Sequence, residues 1–331
     1  MFKNLAKRVI GGLNCTSREF VNNGPLIVIY HRFSDIMPEY DIRGAHSNGT
    51  PKTLEKEIIF LKRNFKIVSF EEFLSNITNK DRLRKMALIT FDDGYKDNYD
   101  CVYPILKKHK VPAVLFVTCN VINNEDMFWF DKLGFIFKGL PSGEYSPPLV
   151  DKIYLPKKGR RKFFILFAEK LKDLRPEETY EIIAYFASVA RITMDRSLFK
   201  KLNLYLSEEE IKEMHSGGLG IGAHGLSHNI LNKISADEAR KEISQSKSIL
   251  TSLLNDNVDY FSYPDGKIGK ADRYLVEIVK ECGYKAAVTT NMGKNKDFNE
   301  YGVFGLKRVS GGQNFYDFRY YISKSYKADN G

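Results

Sequence analysis

The feature that most limits how this chain can fold is a series of short apolar runs, each followed by a turn and a helix-like pattern. Runs of this length and composition are typical of buried strands. They are PLIVIYH (25–31), MALITFDD (86–93), PAVLFVTC (112–119), GLGIGAH (218–224), VDYFSYP (258–264) and YKAAVTT (284–290). Their alternation with helices predicts an α/β fold with helices outside a parallel sheet. An open doubly wound sheet and a closed barrel both satisfy the pattern, and both place their chemistry at the carboxyl ends of the strands.

Helix-spaced apolar residues fill the intervals between these runs. The clearest examples are 53–65, 98–110, 235–254 and 270–283. Ser235 is followed three residues later by Glu238, which predicts a capping box at the start of one helix. Gly283 predicts the end of another, because glycine readily adopts the left-handed conformation that closes many helices.

The interval from about 138 to 205 interrupts this alternation. It opens with a loop rich in proline and glycine at 139–148. Two helical patterns follow, at roughly 160–173 and 177–191. The interval therefore predicts a helical insertion.

The composition indicates a folded protein of a reducing compartment. With 331 residues, 43% of them hydrophobic, the chain can bury a full core. Its four cysteines lie far apart without a C-x-x-C spacing, which favours neither a zinc ribbon nor a disulfide framework. No run approaches the roughly 20 apolar residues that span a bilayer, and the first residues lack the pattern of a signal peptide. We therefore expect a cytoplasmic protein.

Residues 1–14 form a basic amphipathic segment, with Phe2, Leu5, Val9 and Leu13 near one helical face. This pattern suits either peripheral binding to a membrane surface or a short helix packed on the domain. The net charge of +10 comes mainly from scattered basic residues, and no nucleic-acid motif is present. The sequence therefore predicts a solvated basic surface and no nucleic-acid partner.

His224 and His228 stand four residues apart, directly after a glycine-rich run. Two imidazoles at this spacing can face one metal ion from a helix or a tight turn. A carboxylate at another strand end is the expected third ligand, and Asp92 and Asp93 end the run MALITFDD. Two histidines and one carboxylate leave coordination positions open for water and substrate, as a catalytic metal requires.

Asp92 and Asp93 are expected to have different functions, because adjacent side chains of a strand start toward different sides. One would bind the ion, and the other would accept a proton from water as a general base. An alternative is that Asp92-Asp93-Gly94 is only a polar turn with a helix N-cap. The same ligand set also matches the facial triad of non-haem iron oxygenases.

Three segments, TFDDGYKDNY, IGAHGLSH and FSYPDGK, closely resemble motifs of the polysaccharide deacetylases of carbohydrate esterase family four, the NodB-homology domain. The resemblance covers about 25–135 and 205–320. It implies a distorted (β/α) barrel of about seven strands that hydrolyses acetyl groups on sugars. The expected organisation is an N-terminal segment at 1–24 and a barrel at 25–325 that contains the helical insertion at about 138–205.

Carried over residue by residue, the resemblance makes Asp92 the catalytic base. It makes Asp93, His224 and His228 the ligands of a divalent metal, with zinc as the default and Co, Ni, Mn or Fe as alternatives. The resemblance also implies that an amide in the FSYPDGK loop stabilises the oxyanion. The loop residues concerned are Asp265, which would donate this amide, and Tyr263 and Pro264, which would shape the loop.

The sequence departs from the family at two positions. Phe261 replaces an arginine that commonly orients the base. The final L-x-H motif, which supplies a general acid, is missing because no histidine follows His228. A circularly permuted branch of the family carries this motif at the front, where Ile29-Tyr30-His31 would match it. His31 would then protonate the leaving amine, or it is a buried histidine that only forms a hydrogen bond.

These features together predict a cytoplasmic, metal-dependent sugar N-deacetylase that acts in biosynthesis of a surface polysaccharide or glycoconjugate. Trp129 is expected either to stack on a sugar or to pack beneath the insertion. A deformylase or other deacylase of a nucleotide-linked or lipid-linked amino sugar would use the same residues. Alternatives of another class are the iron oxygenase and a non-catalytic carbohydrate-binding protein, the latter motivated by Phe261.

Overall fold

A computed structural model describes residues 24–35, 48–296, 298 and 300–325. In this part of the chain, eight parallel strands form the main sheet. They are β1 (Leu26–Tyr30), β2 (Lys66–Ile67), β3 (Met86–Phe91), β4 (Val114–Val117), β7 (Gly220–Ala223), β8 (Tyr260–Ser262), β9 (Ala286–Met292) and β10 (Leu306–Ser310). The remaining two, β5 (Gly143–Tyr145) and β6 (Ile153–Leu155), form a separate antiparallel hairpin.

Seven of the parallel strands close into a barrel, in the order β1, β10, β9, β8, β7, β4 and β3. Closure results from pairing between β1 and β3, which aligns Leu26 with Ala87 and Tyr30 with Phe91. The short β2 pairs with the start of β3. The predicted barrel of about seven strands is therefore confirmed. Each of the six predicted runs contains one of its strands, whereas β2 and β10 were not predicted.

Helices surround this barrel. They are α1 (Pro51–Asn64), α2 (Phe70–Ser75), α3 (Lys80–Leu83), α4 (Tyr103–His109), α5 (Trp129–Gly139), α6 (Arg160–Leu171), α7 (Pro176–Ala190), α8 (Arg196–Leu202), α9 (Glu208–Ser216), α10 (Ala236–Leu254), α11 (Arg273–Glu281) and α12 (Phe315–Ser325). The predicted capping box is present at α10, where the Ser235 hydroxyl accepts from the Glu238 amide and the Glu238 carboxylate accepts from the Ser235 amide. Gly283 has φ +78° just beyond α11, as predicted for a helix end.

The interval of the predicted insertion contains α6 and α7 close to the two helical patterns. It also contains α8 and the hairpin of β5 and β6, which were not predicted. Strands of three residues are too short to show a period, and β5 includes a glycine, so the hairpin lies inside what the composition marks as a loop. These elements share one apolar cluster with α5, which contributes Leu133 and Phe137.

Strand side chains alternate between the inside of the barrel and the layer beneath the helices. Ile27, Leu88 and Val288 belong to one buried cluster, to which several strands contribute only every second residue. Val28 and Ile89, which neighbour Ile27 and Leu88 in the sequence, belong to the larger cluster, to which α1, α10 and α11 contribute. Because the alternation continues past the strand ends, the barrel directs every second side chain toward its own axis at the carboxyl edge.

No helix among the described residues is both long and apolar enough to cross a membrane. The basic amphipathic segment predicted at 1–14, with its proposed membrane contact, lies outside the described residues.

Candidate metal and catalytic site

The three predicted metal ligands meet at the carboxyl edge of the barrel. Asp93 follows β3, and His224 and His228 follow β7. The Oδ1 atom of Asp93 lies 3.4 Å from Nε2 of His224 and 3.3 Å from Nε2 of His228. All three side chains are buried, and their ligand atoms lie within 4.8 Å of one another. The structure thus brings together residues that are more than 130 positions apart in the sequence.

These distances fit a bound metal ion better than a hydrogen-bonded cluster. Asp93 Oδ1 accepts no hydrogen bond from any described residue, although it is buried. A buried carboxylate oxygen without a donor is costly, and a cation between it and the two imidazoles would remove that cost. Two ligands about 2.05 Å from a tetrahedral zinc ion lie about 3.3 Å apart, close to both distances that involve Asp93.

Backbone conformation turns two of the ligands toward the common point. Asp93 has φ +83° and His228 has φ +62°, both in the left-handed region that side chains rarely adopt. In regular extended conformation Asp93 would start away from the side that Asp92 faces. The positive φ brings its carboxylate back to the histidines, and such local strain is typical of functional sites.

The ring of His224 is oriented by a backbone contact. Its Nδ1 atom lies 2.8 Å from the carbonyl oxygen of Ser262, which accepts only if Nδ1 carries the proton. That tautomer leaves the lone pair of Nε2 free to bind a metal. The next strand in the sheet therefore fixes how His224 faces the site.

Glu242 of α10 organises the loop that carries His228. Its Oε2 atom accepts hydrogen bonds from the amides of Leu226 at 2.8 Å and Ser227 at 2.9 Å. Its Oε1 atom accepts from the hydroxyl of Ser227 and, at 3.2 Å, from the side-chain amide of Asn229. One buried carboxylate thus satisfies four donors on both sides of His228, which holds the strained loop in place.

Asp92, the proposed base, is held by an arginine that the sequence did not predict. Arg308 Nη1 donates to Asp92 Oδ1 at 2.7 Å, and Arg308 Nη2 donates to Asp92 Oδ2 at 2.7 Å. Arg308 also donates from Nε to the carbonyl of Thr289 at 2.8 Å and from Nη1 to the hydroxyl of Thr90 at 3.1 Å. The Ser262 hydroxyl donates to Asp92 Oδ2 at 3.1 Å. Such a bidentate pair fixes both the position and the plane of the carboxylate.

The charges of these groups prepare the site for a cation. Burial by itself raises the pKa of Asp92, but Arg308 and then His224 outweigh burial and hold that pKa below its ordinary value. The pKa of Asp93 is lowered well below its ordinary value, because the contacts with His224 and His228 exceed the effect of burial. Burial lowers the pKa of His224, but Asp92 and Asp93 raise it overall. Both carboxylates are therefore ionised at neutral pH.

His31 lines the same cleft as the three ligands and Asp92. It follows β1, and its main chain is held by two asparagines: its amide donates to Asn48 Oδ1 at 2.7 Å, and its carbonyl accepts from Asn98 Nδ2 at 3.2 Å. Burial lowers the pKa of His31, although the nearby carboxylates partly oppose the shift. Burial therefore disfavours the imidazolium form, which a histidine needs in order to act as a general acid.

The FSYPDGK loop brings Asp265 to the rim of this cleft. Asp265 has φ +50°, and its amide donates to no acceptor within the described part of the chain. Tyr263 is buried and donates to the carbonyl of Phe304 at 3.1 Å, which anchors the base of the loop. Pro264 lines a second cavity beside the cleft, together with Asp265. A free amide at the rim is the type of donor that can stabilise a developing oxyanion.

Trp129 and the insertion form one wall of the cleft. Trp129 lines it at the start of α5, beside Phe130. The α6 helix contributes Phe164 and Ile165 to the same wall. Trp129 also packs on the apolar cluster of the insertion, whereas its stacking on a sugar stays a prediction.

Arg308 and Glu242 are the two site residues that sequence reasoning missed, and each has a signal in the sequence. Glu242 falls on the apolar face of α10, four residues before Ser246 and three after Ala239, all of them buried. A charged residue on such a face indicates a specific buried partner. Arg308 lies in GLKRVSG. The adjacent Lys307 and Arg308 interrupt the apolar run, so β10 does not show the composition expected of a buried strand.

Comparison with known proteins gives a consistent family assignment. The family model described as polysaccharide deacetylase matches residues 79–287, more than half of the chain. YxkH of Bacillus subtilis strain 168 is 22% identical over 231 residues, which are 70% of this chain and 53% of YxkH. The chain thus spans about half the length of that relative. The poly-β-1,6-N-acetyl-D-glucosamine N-deacetylase of Staphylococcus epidermidis RP62A is 24% identical over 221 residues, 62% of this chain and 73% of that protein.

Solved structures share the fold. The Streptococcus pyogenes deacetylase PplD in complex with acetate gives a TM-score of 0.57 at 19% identity, over 88% of this chain and 93% of PplD. IcaB from Ammonifex degensii gives 0.56 at 17% identity, over 92% of this chain and 98% of IcaB. At these identities the likeness is one of architecture.

Proposed function

Because the chain belongs to the polysaccharide deacetylase family, we propose that it is a metal-dependent hydrolase that removes N-acetyl groups from a sugar or polysaccharide. The observation that carries this proposal is the buried Asp93 Oδ1, which lacks a hydrogen-bond donor in the described structure and faces Nε2 of His224 and of His228. These three residues would hold the ion. Zinc is the default for this ligand set, with Co, Ni, Mn and Fe as alternatives.

A metal ion in such a set lowers the pKa of water and polarises a carbonyl oxygen. Asp92 is proposed to accept the proton of the attacking water as a general base. Its carboxylate is ionised at neutral pH and held rigidly by Arg308, so it is both able to take a proton and fixed in direction.

The Asp265 amide is proposed to donate a hydrogen bond to the oxyanion that forms when water adds to the amide carbonyl. His31, in its imidazolium form, then gives a proton to the leaving nitrogen, so that acetate and a free amine separate. Asp92 gains one proton and His31 loses one, and exchange with solvent restores both groups. Tyr263 and Pro264 would keep the Asp265 loop in shape.

We also propose that the chain is circularly permuted relative to other members of the family. In the barrel, β1 lies between β10 and β3, so the first strand of the described residues stands beside the last one. This arrangement supports Ile29-Tyr30-His31 as the counterpart of the family's terminal motif. His31 at the end of β1 would then be the general acid.

The proposed setting is biosynthesis of a cell-surface polysaccharide or glycoconjugate. The S. epidermidis relative is named for poly-β-1,6-N-acetyl-D-glucosamine, which makes β-1,6-linked N-acetylglucosamine oligomers the first substrate to test. Trp129 at the cleft wall is proposed to contact the sugar. The hypothesis of a non-catalytic binding protein was based on Phe261, which replaces the arginine that commonly contacts the base. Arg308 makes this contact with Asp92 instead, so that reason no longer applies.

The test is a panel of N-acetylated and N-formylated saccharides, nucleotide sugars and lipid-linked sugars, with acetate and formate measured separately. We expect the zinc-loaded protein to release acetate from at least one saccharide, in anoxic buffer and without a 2-oxo acid. A chelator should abolish the release, and added metal should restore it. Release of formate alone would favour the deformylase alternative. Absence of acyl release from the whole panel would contradict the proposal.

A further inference from the structure

The end of α6 is tied to the Asp265 loop by an ion pair. The Nζ atom of Lys172, the residue that follows this helix, lies 2.7 Å from Oδ2 of Asp265. Lys172 also contacts Glu169, one turn earlier, at 2.9 Å. We propose that Lys172 is a positioning residue that holds the Asp265 loop in its reactive conformation, so that the insertion contributes to turnover. This inference rests on the proposed function, which assigns an oxyanion contact to the Asp265 amide.

The Asp265 loop needs such support because its backbone is not in a relaxed conformation. Asp265 has φ +50°. The turn is held by three backbone hydrogen bonds: from the Gly266 amide to the Tyr263 carbonyl at 3.1 Å, from the Lys267 amide to the Asp265 carbonyl at 3.0 Å, and from the Thr290 amide of β9 to the Gly266 carbonyl at 2.9 Å. None of these bonds involves the Asp265 amide itself. An oxyanion donor acts at 2.7–3.1 Å, so a small rotation of this peptide would remove most of its effect.

The peptide that carries the Asp265 amide can also be restrained through the Asp265 side chain, and Lys172 binds this side chain. The Lys172 side chain is 24% exposed and that of Asp265 is 32% exposed, so the pair is partly shielded from solvent and salt. The neighbouring carboxylates raise the pKa of Lys172 and keep it charged at neutral pH, although burial opposes them. Among the described residues that line the cleft, Lys172 is the sole lysine or arginine.

The ion pair also stands between two cavities. Lys172, Glu169 and Asp265 line both the cleft over the metal ligands and a neighbouring cavity of about 260 Å³. The loop is therefore open on either side of this contact. Loss of the pair would leave the Asp265 side chain free to turn toward either cavity.

A second ion pair provides a matched control. Lys233 Nζ lies 3.3 Å from Oδ1 of Asp173, the residue after Lys172. This pair ties the same part of the insertion to the segment that follows His228, but it does not involve Asp265. Lys233→Met therefore removes a comparable link between insertion and barrel without releasing the Asp265 loop.

The test compares Lys172→Met, Lys172→Arg, Asp265→Asn and the double variant Lys172→Met/Asp265→Asn with Lys233→Met and the wild type. Asparagine is chosen because it tolerates a positive φ. We expect Lys172→Met and Asp265→Asn each to lower kcat about tenfold, with KM within about twofold of wild type. The double variant should be no slower than either single variant, because both remove one contact. Lys172→Arg should recover most of kcat, and Lys233→Met should match the wild type.

Amide hydrogen exchange gives a readout that does not depend on activity. In Lys172→Met, and not in Lys233→Met, exchange at 265–267 should become about tenfold faster. Equal kcat and equal exchange in Lys172→Met and wild type would overturn the inference. A different outcome is also informative: the wild type releases no acyl group, but exchange at 265–267 is still faster in Lys172→Met than in Lys233→Met. This outcome would contradict the proposed function and would still support the ion pair as the restraint on the loop.

Discussion

Asp92 and Asp93 are neighbours in the sequence but have different environments. Asp92 lies on the same side of the chain as the β3 residues that point into the barrel, and Arg308 binds it through two hydrogen bonds of 2.7 Å. Asp93 has a positive φ, which interrupts the alternation of the strand, and its carboxylate faces two imidazoles. A carboxylate saturated by a guanidinium is a poor metal ligand, whereas one with an unpartnered oxygen is a good one. The roles proposed for the two residues follow from these contacts.

Arg308→Lys tests whether Arg308 sets the protonation of Asp92. Lysine keeps one charge but loses the bidentate geometry, so the pKa of Asp92 should rise from its lowered value. Asp92 then remains protonated to a higher pH. The acidic limb of the profile of kcat/KM against pH should therefore move to higher pH, with a loss of about tenfold or more near neutrality.

Arg240→Lys is the control for this substitution, because Arg240 forms an exposed ion pair with Glu281 far from the cleft. Its pH profile should match that of the wild type. An Arg308→Lys variant with an unchanged acidic limb would contradict the role given to Arg308, provided that the variant keeps the unfolding transition of a folded protein.

The loop that carries the proposed metal ligand His228 depends on a helix that contributes none of the proposed ligands. Glu242 of α10 satisfies four donors around His228, whose φ is +62°. Outer residues that orient ligands commonly change metal affinity by about 10- to 100-fold when they are replaced. We therefore expect the metal affinity of the proposed site to depend on α10 and its loop together.

Glu242→Gln should weaken metal binding by about tenfold or more, because glutamine can accept at only one of the two oxygen positions. The measurement is a competition titration against a chromogenic chelator. Glu281→Gln, on the exposed side of α11, should bind metal as the wild type does. Equal affinity in Glu242→Gln and wild type would show that the loop holds His228 without α10.

The elements that sequence reasoning predicted are those whose local pattern agrees with their final environment. β1 and β4 are apolar throughout, and β3 is apolar apart from Thr90. All three are buried on both faces, and the capping box fixes the start of α10. β10 fails this condition. Its Arg308 is buried because Asp92 neutralises it from a strand more than 200 residues away, and a local pattern cannot show such a partner.

Sequence reasoning identified the three proposed ligands, which the structure brings together, but not the residues that support them. Asp93, His224 and His228 could be found because the chemistry of metal binding limits the residue types and their spacing. The positive φ of Asp93, the Arg308 contact and the Lys172 ion pair all depend on tertiary structure. The hairpin of β5 and β6 was missed for a different reason, since three-residue strands carry no measurable period.

At the scale of the whole molecule, barrel closure creates the site. One rim of the barrel collects the ends of four strands, β1, β3, β7 and β10, which carry His31, the two aspartates, His224 and Arg308. In the sheet, β1 is adjacent to β3 and β10, whereas β7 is adjacent to none of the other three. The insertion adds a wall and an ion pair at the same rim. Removal of the proposed metal is therefore expected to lower both the proposed activity and the global stability, because an ion bound only by the folded state stabilises it.

The most direct test of the account is a comparison of Asp92→Asn, Asp93→Asn and His224→Ala with the wild type, by metal content and acetate release on the same samples. Asp92→Asn should retain metal at the wild-type ratio and lose nearly all turnover. Asp93→Asn and His224→Ala should lose both metal and turnover, and their unfolding temperatures should no longer rise when zinc is added. Full turnover by Asp92→Asn, or undiminished metal binding by His224→Ala, would contradict the division of function between the two adjacent carboxylates.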